Sequence, residues 1–262
     1  MKYLIILLFS IFCTSSKAAM KLAMIKDSEG YTNVRSGQGV NFESIGVINK
    51  DEFFYCESSV SDWWKVASLE RAKIRFEGFI HISRVQFIQD LSEPTKQILL
   101  TNILSNHIQL AERCSKSYEK FDHTNGKWSN SSDSLLSDKA ADKYLNSSGN
   151  KYLPVLEILP QYFCTTSDTM LLQLLFATLW ADNASASEIP AYAIGECFKC
   201  QSYLLVAQIS KIKIKRERKF IFDDIEFGVL STFDVDEQGA SKNKEYYVYK
   251  KLLENGRKKA KL

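Results

Sequence analysis

Little in this sequence would break regular structure or mark the chain as disordered. Only 4 prolines and 11 glycines occur among 262 residues, which is few for a disordered or linker-rich chain. Hydrophobic residues make up 45% and charged residues 25%, the proportions of a globular protein. The formal net charge of +3 is too small to indicate a nucleic-acid partner. The length suits one large or two ordinary domains.

Catalytic motifs are also missing. Histidines number only three, and none follows a cysteine in the order typical of a cell-wall peptidase. The sequence has no Gly-x-Ser-x-Gly, no His-Glu-x-x-His and no glycine loop that could hold a phosphate. A zinc site would need a second cysteine or histidine pair at close spacing, which the chain does not have. The sequence therefore predicts a non-enzymatic protein with no metal and no cofactor.

The apolar run at the amino terminus is too short for a membrane span, which needs roughly 20 residues. Lys2 precedes this run, which extends from Tyr3 to Phe12. Ser16-Lys17-Ala18 follows, with small residues at both ends. This order is typical of a signal peptide cleaved after Ala18. We therefore expect residues 1–18 to be removed and the protein to be exported to a periplasmic or extracellular location.

Cysteine is too sparse for a disulfide-built scaffold. Cys13 follows Phe12, which is not small, so the sequence argues against a lipidated cysteine. The remaining five cysteines are an odd number, which requires at least one free or intermolecular thiol. They are Cys56, Cys114, Cys164, Cys197 and Cys200.

Cys197 and Cys200 form a CxxC pattern within a predicted helix. The pattern has three readings: buried core thiols, a disulfide that includes at least one of the two residues, or redox or metal chemistry. In a redox pair the first cysteine is expected at a helix amino terminus, whereas here the helix is expected to start well before Cys197.

Short strands are predicted between residues 22 and 88. β-branched and aromatic residues such as Val34, Phe53 and Trp64 recur there. Turn formers separate them, among others at Asp27-Ser28-Glu29-Gly30 and Ser36-Gly37-Gln38-Gly39. Strands this short and closely spaced favour a small barrel over a βαβ unit.

Three segments of this region carry a family resemblance. In chain order they are Gly30-Tyr31 with Asn33-Val34-Arg35-Ser36-Gly37-Gln38-Gly39, then Asp62-Trp63-Trp64-Lys65-Val66, then Gly78-Phe79-Ile80-His81 with Ser83-Arg84-Val85. Together they resemble the bacterial SH3-like domain, over about residues 20–88. Gln38 stands where that family usually has proline. The resemblance does not extend into the carboxy-terminal region.

The resemblance implies a small β-barrel of a binding class, found in exported or wall-associated proteins, some of which bind cell-wall peptides. In the SH3 architecture an aromatic-lined groove between loops accepts an extended peptide. The candidate ligand-binding residues are therefore Tyr31, Asn33, Arg35 and Trp63. In the structural alternative, Asn33 and Arg35 only hold the turn, and Trp63 packs against a neighbouring strand.

Helical periodicity replaces the strand pattern after Asp90. Ser92-Glu93-Pro94 is a helix start signal with Ser92 as the N-cap, and this helix is expected to run to about Tyr118. Ser167-Asp168 is expected to cap a strongly apolar helix. The remaining predicted helices cover residues 134–145, 152–162, 170–180, 188–210, 220–233 and 246–254. They fit either a compact bundle or a HEAT-like solenoid.

An acidic cluster of Asp223, Asp224 and Glu226 falls on one predicted helix. Paired carboxylates can serve acid–base chemistry or bind calcium, although a solvated helix face is the commoner explanation. If the helical region held an active site, Glu188 and Glu196 would join Asp223 and Asp224 as its candidates.

The densest basic run contains Lys211, Lys213, Lys215 and Arg216. Such a run can contact an anionic membrane or an anionic wall polymer, and it can also be a solvated face.

We therefore expect an α+β protein: a signal peptide in residues 1–18, an SH3-like β-barrel in 19–90, and a helical domain with a basic tail in 91–262. The expected function is that of a non-enzymatic binding protein of the bacterial envelope. Its barrel would recognise a peptide or cell-wall fragment, and its helical domain would dock a protein partner. Two alternatives stay open: an interaction or immunity-type protein acting through its helical domain, and an envelope enzyme with a site in that domain.

Overall fold

The computed structural model describes residues 20–50, 52–70, 73–119, 121–122, 127–128, 131–181, 188–235 and 240–262. The predicted signal peptide, with Cys13, and the loop residue His123 lie outside these ranges. Within them a β-sheet region is followed by a helical region, which confirms the predicted α+β class.

Seven of the described strands form one antiparallel sheet that curls into a half-barrel. They are β1 (Lys21–Ile25), β2 (Tyr31–Arg35), β3 (Ser44–Asn49), β4 (Phe53–Glu57), β5 (Trp63–Glu70), β6 (Lys73–His81) and β7 (Val85–Phe87). Their order across the sheet is β3-β2-β6-β5-β4-β1-β7. A separate two-stranded pair, β8 (Phe121–Asp122) and β9 (Lys127–Trp128), follows the first helix.

Alternation along the strands places side chains on two faces of the curled sheet. The inner face is buried and apolar, and its cluster comprises Ala23, Ile25, Val34, Ile48, Phe54, Cys56, Val66 and Ile80. At Gly78 the chain of β6 comes so close to β2 that a Cβ atom would lie 2.6 Å from the carbonyl oxygen of Arg35. Since every other residue has a Cβ, glycine permits this approach of the two strands.

The rest of the described chain is mostly helical. Its helices are α1 (Glu93–Tyr118), α2 (Ser131–Ser147), α3 (Leu153–Leu156, a single turn after a π-helical turn), α4 (Leu159–Thr166), α5 (Thr169–Ala181), α6 (Ile189–Ile209), α7 (Lys215–Leu230) and α8 (Lys244–Lys259). None of the helices described is both long and apolar enough to cross a membrane.

Capping hydrogen bonds confirm two of the predicted helix starts. The Ser92 hydroxyl accepts a hydrogen bond from the Thr95 amide at 3.4 Å, at the start of α1. The Asp168 carboxylate accepts from the amides of Met170 and Leu171 at 2.9 and 3.1 Å, at the start of α5. First-turn amides have no partner within the helix, so these side chains stabilise the helix ends.

The last two helices differ from their predicted bounds. α7 begins at Lys215 rather than at residue 220, and α8 continues to Lys259 rather than ending at residue 254. Arg257, Lys258 and Lys259, predicted to lie in a basic tail after the helix, therefore form the last turn of α8. Lysine and arginine are good helix formers, and their charges are favourable near a helix carboxyl end.

Two glycines let α6 and α7 pack at very short range. A Cβ atom at Gly228 would overlap the carbonyl oxygen of Ala191, and one at Gly195 would lie 2.5 Å from the carbonyl carbon of Gly228. Both conflicts involve backbone atoms, which no side-chain rotation can move away. The two helices are consequently in backbone contact along this stretch.

The helices also cover one part of the outer face of the sheet. Leu22 of β1 and Phe53 of β4 belong to the same buried cluster as the core of the helical region. Beside them, the Tyr55 hydroxyl donates a hydrogen bond to the Glu157 carboxylate at 2.5 Å. Burial and this hydrogen bond raise the pKa of Tyr55 well above its ordinary value. Part of the outer face of the sheet and the helices thus share one hydrophobic core, separate from the cluster on the inner face of the sheet.

Candidate functional site

Strand alternation places the predicted ligand-binding residues of β2 on the outer face. Thr32 and Val34 are buried, whereas Tyr31, Asn33 and Arg35 project from the opposite side of the strand. Tyr31 and Asn33 are exposed and Arg35 is half-buried. All three lie on the outer face, away from the inner apolar cluster.

The register of the sheet adds residues from two neighbouring strands to this face. Arg35 of β2 pairs with Phe79 of β6, which in turn pairs with Lys65 of β5. Two residues along, Trp63 of β5 pairs directly with His81 of β6. Because paired residues project to the same side, the side chains of Trp63 and His81 join that of Arg35 on one surface.

A groove of about 260 Å³ lies at this end of the sheet. Its lining residues are Thr32, Asn33, Arg35, Val40, Trp63, His81, Ser83 and Arg84. Three of the four predicted ligand-binding residues, Asn33, Arg35 and Trp63, are therefore brought together in one concave site. Tyr31 lies on the same strand face but is not among the lining residues.

His81 is a groove residue that was not among the predicted ligand-binding residues. Its ring meets the Trp63 ring edge to face, with 5.6 Å between the ring centroids. The Ser83 amide donates a hydrogen bond to His81 Nδ1 at 3.3 Å. Since Nδ1 is thereby an acceptor, the proton of the neutral ring is on Nε2, which can donate to a ligand. The position of His81 beside Trp63 follows from the pairing of β5 with β6, which the sequence alone does not reveal.

Arg35 and Asn33 also hold the loop between β2 and β3, as the structural alternative predicted. Arg35 Nη1 donates to the carbonyl oxygen of Phe42 at 2.7 Å. The Ser44 hydroxyl donates to Asn33 Oδ1 at 3.4 Å. A guanidinium has five donors, so the bond to Phe42 leaves Arg35 able to bind an anionic or carbonyl ligand as well.

The two arginines of the groove differ in their ion pairs. Arg84 pairs with Asp27, whose side chain is only 2% exposed. Arg35 has no carboxylate partner within the described part of the chain. Its positive charge is thus available to a ligand, whereas that of Arg84 is largely neutralised.

The CxxC cysteines are not bonded to each other. Cys200 forms a disulfide with Cys164 of α4, and Cys197 is a fully buried free thiol. Along α6, Cys197 faces the helical core while Cys200 lies on the exposed side, where it bonds to Cys164 of α4. Burial raises the pKa of the Cys197 thiol to about 12, so it stays protonated and unreactive at neutral pH.

The acidic cluster is engaged in ion pairs. Arg257 of α8 donates to Asp223 at 2.8 Å and to Glu226 at 2.6 Å, and Lys219 donates to Asp223 at 2.8 Å. Burial alone would raise the pKa of Asp223, but the hydrogen bonds from Lys219 and Arg257 hold it below its ordinary value. These contacts make Asp223 and Glu226 part of the α7–α8 interface.

Asp224 differs from its neighbours, because burial and the charge of Asp223 raise its pKa to about 6. The other carboxylates named for an active site do not join it. Glu196 pairs with Lys199 at 2.7 Å, and Glu188 accepts a hydrogen bond from Tyr192 at 3.3 Å. Among the described residues, no group of three or more His, Cys, Asp or Glu side chains could hold a metal ion.

The chain matches no protein-family model, no curated protein and no solved structure. The chemistry of the groove itself is therefore the basis on which a function can be assigned.

Proposed function

We propose that the curled sheet is an SH3-like domain, and that the protein is a non-enzymatic binding protein exported to the bacterial envelope. Its ligand, an extended peptide or cell-wall fragment, occupies the groove of β2, β5 and β6. The observation that carries this proposal is the convergence of Asn33 and Arg35 of β2 with Trp63 of β5, a strand distant in sequence, on one concave surface with His81.

The composition of the groove favours a ligand that combines a carboxylate with an apolar or sugar face. Arg35 offers a guanidinium, the side chain best suited to bidentate carboxylate recognition. The Trp63 ring offers a broad apolar surface, and His81 adds a hydrogen-bond donor. Wall peptides carry free carboxylates, and their glycan strands present sugar faces, so peptidoglycan fits these requirements.

The helical domain is the proposed docking surface for a protein partner. Three leucines of α2 project into solvent, with exposed fractions of 54% for Leu135, 59% for Leu136 and 47% for Leu145. Leu135 and Leu136 are neighbours, and adjacent exposed apolar side chains are typical of a protein interaction surface. This observation also favours the alternative of an interaction or immunity-type protein acting through its helices.

Retention on purified peptidoglycan sacculi tests the groove. The chain from residue 19 onward is compared with Trp63→Ala, Trp63→Phe and the control Tyr247→Ala, which removes an exposed aromatic ring of α8. Loss of an aromatic anchor costs about 2 kcal/mol, so Trp63→Ala should bind roughly 30-fold more weakly. Trp63→Phe keeps an aromatic surface and should retain most of the affinity, and Tyr247→Ala should bind like the parent.

Circular dichroism and thermal melting establish that each variant is folded. If the folded parent is not retained on sacculi, or if Trp63→Ala is retained as well as Tyr247→Ala, recognition of the wall by this groove is wrong.

A further inference from the structure

Two basic segments that are far apart in sequence meet on one side of the helical domain. One is the connection from α6 into α7, with Lys211, Lys213, Lys215 and Arg216. The other is the end of α8 and the residues after it, with Lys258, Lys259 and Lys261. We refer to these seven residues as the cationic patch.

Arg218 holds the two segments together. Its Nη1 donates to the carbonyl oxygens of Ile212 at 2.6 Å and Lys213 at 3.1 Å, both in the α6–α7 connection. Its Nε donates to the carbonyl oxygen of Ala260, just beyond α8, at 3.1 Å. One half-buried guanidinium therefore fixes the spacing of two basic segments, and the patch is a product of the fold rather than of a single run of sequence.

In the part of the chain that the structure describes, the charges of the patch form no ion pairs, in contrast to three other cations of the same helices. All seven side chains are exposed, and none pairs with a carboxylate of the described residues. Elsewhere on α6, α7 and α8, Lys199, Lys219 and Arg257 each form ion pairs with acidic side chains. The patch therefore gathers seven positive charges that no ion pair within the described residues compensates.

Exposed apolar side chains lie among these cations. Ile214, between Lys213 and Lys215, is 57% exposed, and Tyr203 of α6 is 74% exposed. Lys259 of α8 lies 5.4 Å above the Tyr203 ring. Between α6 and α8 the same side has an open, mainly apolar groove of about 330 Å³, lined in part by Lys258 and Lys259.

We propose that the cationic patch binds the anionic headgroups of a phospholipid bilayer, with Ile214 and Tyr203 inserted between the headgroups. Lysine side chains supply attraction to anionic lipids, and exposed apolar groups add favourable burial at the interface. A nucleic acid or a wall polymer would interact with the positive charges but would gain no binding energy from the exposed Ile214 among them. This membrane contact is independent of the groove on the sheet, and it would hold the protein at a bilayer surface.

Co-sedimentation with vesicles tests the proposal. Vesicles of neutral phosphatidylcholine are compared with vesicles that also contain the anionic lipid phosphatidylglycerol, whose surface charge attracts basic segments. The protein should sediment only with the anionic vesicles, and less at high salt. Each lysine near the surface contributes about fivefold to binding, so Lys213→Glu with Lys215→Glu should weaken it at least 25-fold. Ile214→Ser should weaken it several-fold.

Matched controls come from α1 and α2, which pack on each other rather than on the helices of the patch. Lys139→Glu with Lys143→Glu reverses two exposed charges of α2, and Ile98→Ser removes an isoleucine of α1 that is 62% exposed, close to the 57% of Ile214. Both controls should bind like the parent. The proposal is overturned if the parent does not bind anionic vesicles at low salt, or if the control variants lose as much binding as the patch variants. It is also overturned if Ile214→Ser binds unchanged and heparin, an anionic polymer, competes fully, which would assign the patch to polyanions.

Discussion

Replacing Gly228 with alanine should destabilise the protein, even though alanine is the better helix former by about 1 kcal/mol. The new Cβ atom would overlap the Ala191 carbonyl oxygen and lie 2.5 Å from the Ala191 carbonyl carbon. Carbon atoms pack at about 3.5–4.0 Å, so α6 and α7 would have to separate by about 1 Å. Such a separation loosens the contacts of buried residues on both helices, for example Ile194 and Ile225.

The expected loss can be bounded. Overpacking of an interior costs typically 1–3 kcal/mol, and a backbone conflict belongs at the upper end of that range because no rotamer relieves it. Subtracting the gain in helix propensity leaves a net loss of about 2 kcal/mol. For a chain of this size 1 kcal/mol corresponds to about 2–4 °C, so the melting temperature should fall by about 4–8 °C.

Thermal melts and urea titrations followed by circular dichroism measure this effect. Gly256→Ala is the matched control, because the closest atoms to its Cβ would be side-chain atoms, Val206 Cγ2 at 2.9 Å and a Phe222 ring carbon at 3.0 Å. These side chains can shift, so this variant should lose less stability than Gly228→Ala. A Gly228→Ala protein as stable as the parent, or more stable than Gly256→Ala, would refute the inferred backbone contact.

Three further predictions concern stability. In the denatured chain from residue 19 onward, three thiols should react before reduction and five after it. Cys164→Ser with Cys200→Ser should lower the unfolding free energy by about 2–4 kcal/mol, given a sequence separation of 36. Equal thiol counts would exclude the disulfide. The raised Asp224 pKa, about 6, makes its charged form unfavourable in the folded state, so stability falls as pH rises from about 4 to 6. In urea titrations, Asp224→Asn should therefore raise the free energy of unfolding by about 1 kcal/mol at pH 8, after allowance for solvent screening, and leave it unchanged at pH 4. Equal gains at both pH values would contradict this. Tyr55→Phe removes the hydrogen bond to Glu157 and should lower the free energy of unfolding by about 1–2 kcal/mol. An unchanged free energy of unfolding in urea titrations would show that this hydrogen bond does not stabilise the fold.

The fold was predictable from sequence where the signal is local. Ser92 and Asp168 act as N-caps at the expected positions, because a capping side chain and the amides it satisfies lie within three residues of each other. The strands around Val34 and Phe53 followed from local composition and turn residues. The extra turn of α8 was missed because its basic residues were assigned to a tail after the helix, although lysine and arginine are good helix formers.

The site was predictable only in part. Local motifs identified Asn33, Arg35 and Trp63, which the structure gathers in one groove. His81 joins them through its pairing with Trp63, and register depends on the whole sheet rather than on either segment. The bond from Cys200 to Cys164 and the bridging role of Arg218 likewise depend on tertiary proximity, which residue spacing does not encode.

The shared core of sheet and helices affects how freely this protein could be rearranged. Small β-domains are often duplicated or joined to new neighbours because both sheet faces are complete without help. Here Leu22 and Phe53 are covered by the helical region, so a detached sheet would expose them to water. The sheet that carries the groove therefore depends on the helices to cover Leu22 and Phe53. Moving the groove into another protein would require moving the helices as well.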